Sequence, residues 1–120
     1  MTLSETAWQD LPLVDLILLA ELAADIERRT LAGYLRRAIS DAERAANLIE
    51  AVSGTPQEVR QAAHKLRGSS ATLALARLAG LADAIEQCAS RGADTAERIA
   101  ALRPLIAATS SRIEELARGI

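Results

Sequence analysis

From Leu31 onward, apolar or small residues recur at Leu31, Leu35, Ala38, Ala42, Ala45, Ile49 and Val52, in alternating steps of four and three. Steps of that size return to one face of an α-helix, so the segment must bury a single lengthwise stripe. Arg36, Arg37, Asp41, Glu43, Arg44 and Glu50 fall on the polar side, and Gly54 follows where a helix C-terminal glycine belongs.

The same period returns three more times. Thr55-Pro56-Gln57-Glu58 reads as a capping box with proline in the first turn. It opens a helix whose inward stripe is Val59, Ala62, Leu66, Ser69 and Leu73. A break near Ala74 precedes the next stripe, Leu75, Leu78, Ala82, Ile85 and Ala89, which ends at Gly92. Asp94 and Glu97 form a second capping box, leading into Ile99, Leu102, Ile106, Thr109, Ile113 and Leu116. Pro104 lies inside this last pattern, and because the stripe keeps its phase across it, a kink is expected rather than a break.

Four such helices with short connections predict an all-α fold, an antiparallel up-down-up-down four-helix bundle. An additional short N-terminal helix is expected, capped by Asp15, running to about Ala23 and bending into the long helix near Asp25. A chain of 120 residues, half of them apolar, suits one domain over 1–120. Residues 1–12 read as an N-terminal extension and 55–91 as a helical hairpin that carries the only histidine. Trp8 and Tyr34 are the only aromatics, so Leu, Ala, Ile and Val must fill the core. Leu13, Val14, Leu16, Ile17, Leu18, Leu19 and Leu22 are apolar on nearly every side of their helix. They require cover, as a lid on the bundle or a dimer contact in preference to a docking surface.

Several function classes drop out. The net charge of −2, with both signs interleaved, gives no basic footprint for nucleic acid. Leu11–Ala20 contains Pro12 and Asp15 and is too short to insert in a membrane. Met1 is followed by Glu5 and Asp10 instead of a positive leader, which points to a cytoplasmic protein. Cys88 is the sole cysteine, so it forms no intrachain disulfide and reads as a small core residue. One histidine and no inward carboxylate set disfavour a metal or cofactor bundle.

His64 lies opposite the stripe of its helix, with Gln57, Arg60, Gln61, Arg67, Gly68 and Ala71 within roughly 60° of it at 100° per residue. It therefore belongs to the exposed face and not to the core. Arg67 and Gly68 are its i+3 and i+4 neighbours. Arg67 offers a planar cationic fork suited to phosphate oxygens. Gly68, which costs about 1 kcal/mol relative to alanine in a helix interior, removes bulk beside the imidazole. Arg60 and Lys65 add positive charge. A nucleophile, an open approach and an anion clamp are what phosphoryl transfer needs.

The run Ala63-His64-Lys65-Leu66-Arg67-Gly68-Ser69-Ser70-Ala71 resembles the signature of histidine phosphotransfer domains, His-x-Leu-Lys/Arg-Gly-Ser/Ala-Ser/Ala. Leu78, Leu81 and Ile85-Glu86 are similar to the second helix of that family. The resemblance implies that His64 accepts the phosphoryl group, that Arg67 stands beside it, and that Gly68 opens the approach. It implies that Glu86, 22 residues on, bonds the imidazole and leaves Nε2 as nucleophile. Arg60, Gln61, Lys65 and Ala71 would meet the partner. Arg67 stands for the commoner lysine, and Ala74 for a frequent glycine, so a less sharp helix break is expected there.

With no glycine-rich phosphate loop and no receiver-like strand–helix alternation, the chain is expected to be a relay intermediate without ATP-dependent kinase activity. The expected partners are response-regulator receiver domains and a sensor or hybrid histidine kinase, the chain itself being monomeric. It needs no cofactor of its own, Mg²⁺ coming from the receiver. The competing reading is a non-catalytic helical adaptor that binds signalling partners.

Overall fold

The computed structural model describes residues 7–119. Residues 1–6 of the expected extension, Glu5 among them, lie outside these. The elements are a 3-10 turn, Ala7–Asp10, and five α-helices: α1 Leu16–Asp25, α2 Arg28–Ala51, α3 Pro56–Thr72, α4 Ala76–Ser90 and α5 Ala96–Arg118. Short connections make each successive pair from α2 to α5 antiparallel. α2 packs on α3 and α5, and α4 packs on the same two, which closes the four-helix ring. The expected bundle with its short N-terminal helix is the observed fold.

The Asp15 carboxylate caps α1, accepting from the N–H groups of Ile17 and Leu18 at 3.1 Å each. The chain then bends at Ile26, which is extended, before α2 begins. α1 is less covered than its composition suggested. Leu18, Leu19 and Leu22 lean on the core, but Leu16 and Ile17 remain exposed. Its groove is shared with Arg28, Leu31 and Leu35 of α2 and Ile113 and Leu116 of α5, and with no residue of α3. The N-terminal helix thus lies away from the His64 face.

Burial sharpens the stripes. In α2, Ile39 and Ala46 are buried although they were not in the expected stripe, while Ala38, Ala45 and Val52 are only partly buried. In α3 the buried set is Val59, Ala62, Ala63, Leu66 and Ser70. Ser69 is exposed and Leu73 half-buried, contrary to the expected pattern. A helix with neighbours on two sides buries a wider arc than one stripe. α4 is the extreme case: Leu78, Leu81, Ala82, Ala84, Ile85, Glu86 and Cys88 are all buried. Cys88 is the core residue expected, its thiol donating to the Asp94 carbonyl at 3.1 Å.

The helix caps differ from those the sequence predicts. Thr55 and Pro56 begin α3, but the Thr55 hydroxyl makes no capping bond, so the expected box with Glu58 is not formed. Before α5, Asp94 accepts from the Ala96 N–H at 3.0 Å, while Thr95 occupies the cap position. Gly54 follows α2 without the left-handed backbone expected of it, the turn closing instead by the Thr55 N–H on the Val52 carbonyl at 2.8 Å. Gly92 does adopt it, with φ of 69°. α5 runs unbroken through Pro104, with Ile99, Leu102, Leu105, Ile106, Thr109 and Ile113 buried in phase.

The α3–α4 turn is sharper than an alanine suggested. Ala74 takes φ of 66°, and the Leu75 N–H reaches the Ser70 carbonyl at 3.0 Å while the Ala74 N–H reaches Ala71 at 3.2 Å. These are the two bonds of a Schellman motif. A left-handed residue with a Cβ costs roughly 1–2 kcal/mol. Burial of its methyl group, worth about 0.8 kcal/mol, and the two bonds offset that cost. The Ala74 carbonyl also accepts from the Asp15 N–H at 2.7 Å. Arg77 fastens the preceding segment, its N–H to Pro12 at 2.9 Å and its Nε to Leu11 at 2.7 Å. Gly80 admits this segment, since a Cβ there would lie 2.7 Å from Leu11 Cδ1 and 2.9 Å from Trp8 Cβ. Trp8 is therefore a packing aromatic.

Two forked ion pairs join α2 to α5. Arg36 binds Glu114 at 2.9 and 3.0 Å, and Arg103 binds Glu50 at 2.8 and 2.7 Å as well as Asn47. Hydrogen bonding to the guanidinium holds both carboxyls below the ordinary glutamate value of 4.5. A carboxyl lowered in the folded state contributes stability that is present above its unfolded value and lost as pH falls through the folded one. The doubly substituted Arg36→Ala/Arg103→Ala protein should therefore lose less stability than the wild type on acidification from about pH 6 to about pH 3. Urea midpoints across that range check this. Parallel curves would show that the pairs add nothing to acid sensitivity. Being exposed, they should matter less as salt rises.

Candidate functional site

His64 stands midway along α3 with its side chain 58% exposed. α3 and α4 pack together, and this brings Glu86 of α4 to the ring. Glu86 Oε2 lies 2.8 Å from His64 Nδ1, while the Glu86 side chain is only 11% exposed. The carboxylate is therefore no ordinary solvated surface group. A carboxylate can only accept, so in the neutral ring the proton belongs on Nδ1, which donates to Glu86 and leaves the lone pair on Nε2.

Arg67 takes a different place from the one its charge suggested. Its Nη2 is 3.1 Å from Nδ1, its Nε 3.2 Å from Glu86 Oε1, and its Nη1 3.6 Å from Asp83 Oδ1. Nδ1 cannot both donate to Glu86 and accept from Arg67. At 2.8 Å the carboxylate is the better partner, so the guanidinium is held by the two acids and merely abuts the ring. Arg67 is thus on the Nδ1 side, not clasped to the Nε2 edge. Its approach to Glu86 Oε1 is close but poorly aligned, and that buried oxygen has no hydrogen-bond partner.

The remaining expected residues divide by side. Gln61 and Lys65 line a shallow groove with Leu48 and Val52, away from Glu86. Arg60 turns back along α3, its Nε 3.4 Å from Gln57 Oε1. Ala71 is exposed on the His64 face. Gly68 is also exposed, and a Cβ there would meet nothing within 4 Å. The chain's own packing thus places no demand for glycine at this position. Gly68→Ala is expected to stabilise α3 by about 1 kcal/mol; any accompanying loss of phosphotransfer would have to come from the partner's approach. Thermal unfolding and transfer rates on the same sample separate the two effects. A destabilised variant would contradict the open geometry.

Two residues of the site escaped the sequence reading. Asp83 precedes Glu86 by one helical turn, so its shared face was available as a signal. Leu48 is apolar yet lies on the polar side of α2, where it is 53% exposed beside Lys65. Among the described residues no group of three His, Cys, Asp or Glu side chains could hold a metal ion, and no helix is long and apolar enough to cross a membrane.

No curated protein matches the sequence. The fold is similar to the crystal structure of histidine-containing phosphotransfer protein B (HptB) from Pseudomonas aeruginosa PAO1, with a TM-score of 0.81 and 23% identity over 91% of this chain and 97% of that one. The sequence matches the Hpt domain family over residues 29–118, which span α2 to α5 and so include the His64–Glu86–Arg67 cluster. With three-quarters of its length matched and its histidine on an open helical face, the chain belongs to the Hpt domain family and serves histidine phosphotransfer in two-component signalling.

Proposed function

We propose that His64 takes a phosphoryl group from the phosphoaspartate of one receiver domain and passes it to the aspartate of another. The observation that carries this reading is the 2.8 Å contact from His64 Nδ1 to a buried Glu86. It holds the ring in the tautomer whose free lone pair is on Nε2, the nitrogen exposed to a partner.

In the forward step the Nε2 lone pair attacks phosphorus, and the N–P bond forms as the bond from phosphorus to the aspartyl oxygen breaks. The electron pair leaves with the aspartate, which becomes a carboxylate. Nδ1 keeps its proton, so the phosphorylated ring is cationic and the Glu86 carboxylate balances it. Arg67 supplies a guanidinium for the phosphoryl oxygens. The reverse sequence loads the second receiver. The Mg²⁺ of the reaction belongs to the receiver's acidic pocket, and this chain acts as a cytoplasmic monomer between receivers and a sensor or hybrid kinase. Gln61, Lys65 and Ala71 border the surface a receiver would cover.

Incubation with phosphorylated receivers tests the reading. The chain should acquire label that survives alkali and is lost in acid, and peptide mapping should place it at His64. An adaptor would bind a receiver without acquiring label, and label at any other residue would equally overturn the assignment.

A further inference from the structure

We infer that Asp83 is a positioning residue for Arg67, holding the guanidinium on the Nδ1 side of His64 until a phosphoryl group on Nε2 draws it away. The inference rests on the proposed role of His64 and adds a residue to it. Arg67 makes its polar contacts with Nδ1, Glu86 and Asp83. Of these, Nδ1 is already donating to Glu86 and cannot accept, and Glu86 Oε1 is close but misaligned. The guanidinium is therefore held mainly by charge, between two carboxylates one helical turn apart. Asp83 is anchored in turn by Gln87, whose Nε2 donates to the same Oδ1 at 3.5 Å.

One cation thus has two places to go, of which the structure shows the first, against the two carboxylates. With a neutral ring the two carboxylates outbid solvent for it. With a phosphoryl group on Nε2, the Glu86 carboxylate faces a cationic ring, and a dianionic group lies within the sweep of the same side chain. Arg67 is 41% exposed and Asp83 35% exposed, so their pair is weak enough to exchange. Asp83 thereby sets how readily Arg67 is released. An exposed ion pair of this kind is expected to change rates by about two- to five-fold.

The full-length chain loaded with potassium phosphoramidate tests this without any partner protein. The His64 Nε2–P bond forms as the donor's P–N bond breaks, and the nitrogen leaves as ammonia after taking a proton from solvent. Loading is followed by ³¹P NMR and Arg67 by its ¹⁵N-labelled Nε–H resonance. Asp83→Asn should speed loading about two- to five-fold and hasten solvent exchange of the Arg67 Nε–H before loading. Asp83→Glu should restore both. In an Arg67→Ala background, Asp83→Asn should leave the loading rate unchanged. An unchanged rate in Asp83→Asn, or an equal gain with and without Arg67, overturns the assignment, the latter because it would mean direct charge repulsion. A wild-type chain that loads normally keeps the functional reading intact in either case. If wild-type His64 takes no phosphoryl group, both readings fall together.

Discussion

His64→Gln should lower phosphoryl acceptance from a receiver roughly a thousand-fold or more, with unfolding changed by no more than about 0.5 kcal/mol. Glutamine has similar reach and can still donate an N–H toward Glu86, but its amide nitrogen has no lone pair free to attack phosphorus. His64 is the only histidine in the chain, so no neighbouring imidazole can take over. Because the His64 side chain is 58% exposed, its replacement neither opens a cavity nor strands a buried partner apart from Glu86, which the amide can meet. Quantifying alkali-stable label against a urea melt of the same preparation checks both halves. Near-normal labelling of the variant would remove His64 from the reaction. A variant that unfolds early would instead make the residue structural.

The helix pattern carried the bundle because repeated three–four spacing is a local property that packing merely completes. Leu78, Ala82 and Ile85 needed only their period to be placed in the core. The features that escaped are those decided by contacts across the bundle. Gly80 looks like an ordinary weak point of α4 until Trp8 and Leu11 are set against it. Ala74 suggested a softer break, yet the backbone bonds from Leu75 and Ala74 force a left-handed turn on a residue with a methyl group. A helical wheel likewise put Arg67 on the correct face but could not choose its rotamer. That choice depends on Asp83 and Glu86, both on another helix. Thr55 shows the converse: its spacing to Glu58 permits a capping box, and the hydroxyl simply does not make the bond.

Removal of the Glu86 carboxylate is the sharper test of how the site works, because geometry and charge can be separated. Glu86→Ala is expected to slow transfer roughly ten- to a hundred-fold, the range set by a charge-assisted hydrogen bond worth about 1.5–3 kcal/mol. Two losses combine: the ring is no longer held in the Nδ1–H form, and the cationic phosphorylated ring loses its counterion. Arg67, released from one of its two acids, can move to the phosphoryl oxygens more readily and offsets part of the loss. That places the expected value toward the lower end. Glu86→Gln keeps an acceptor for Nδ1–H but no charge, and should fall between the alanine variant and the wild type. Stability should hold in both variants. Glu86 Oε1 is buried without a hydrogen-bond partner, so deleting the carboxylate relieves a desolvation cost. The groups it leaves, His64 and Arg67, are exposed enough for water to serve them. Single-turnover transfer from a phosphorylated receiver, alongside urea unfolding, reads each quantity. If the alanine variant transfers at the wild-type rate, the 2.8 Å contact is incidental to the chemistry. If the glutamine variant matches the wild type while alanine is slow, orientation of the ring and not its charge balance is what Glu86 supplies.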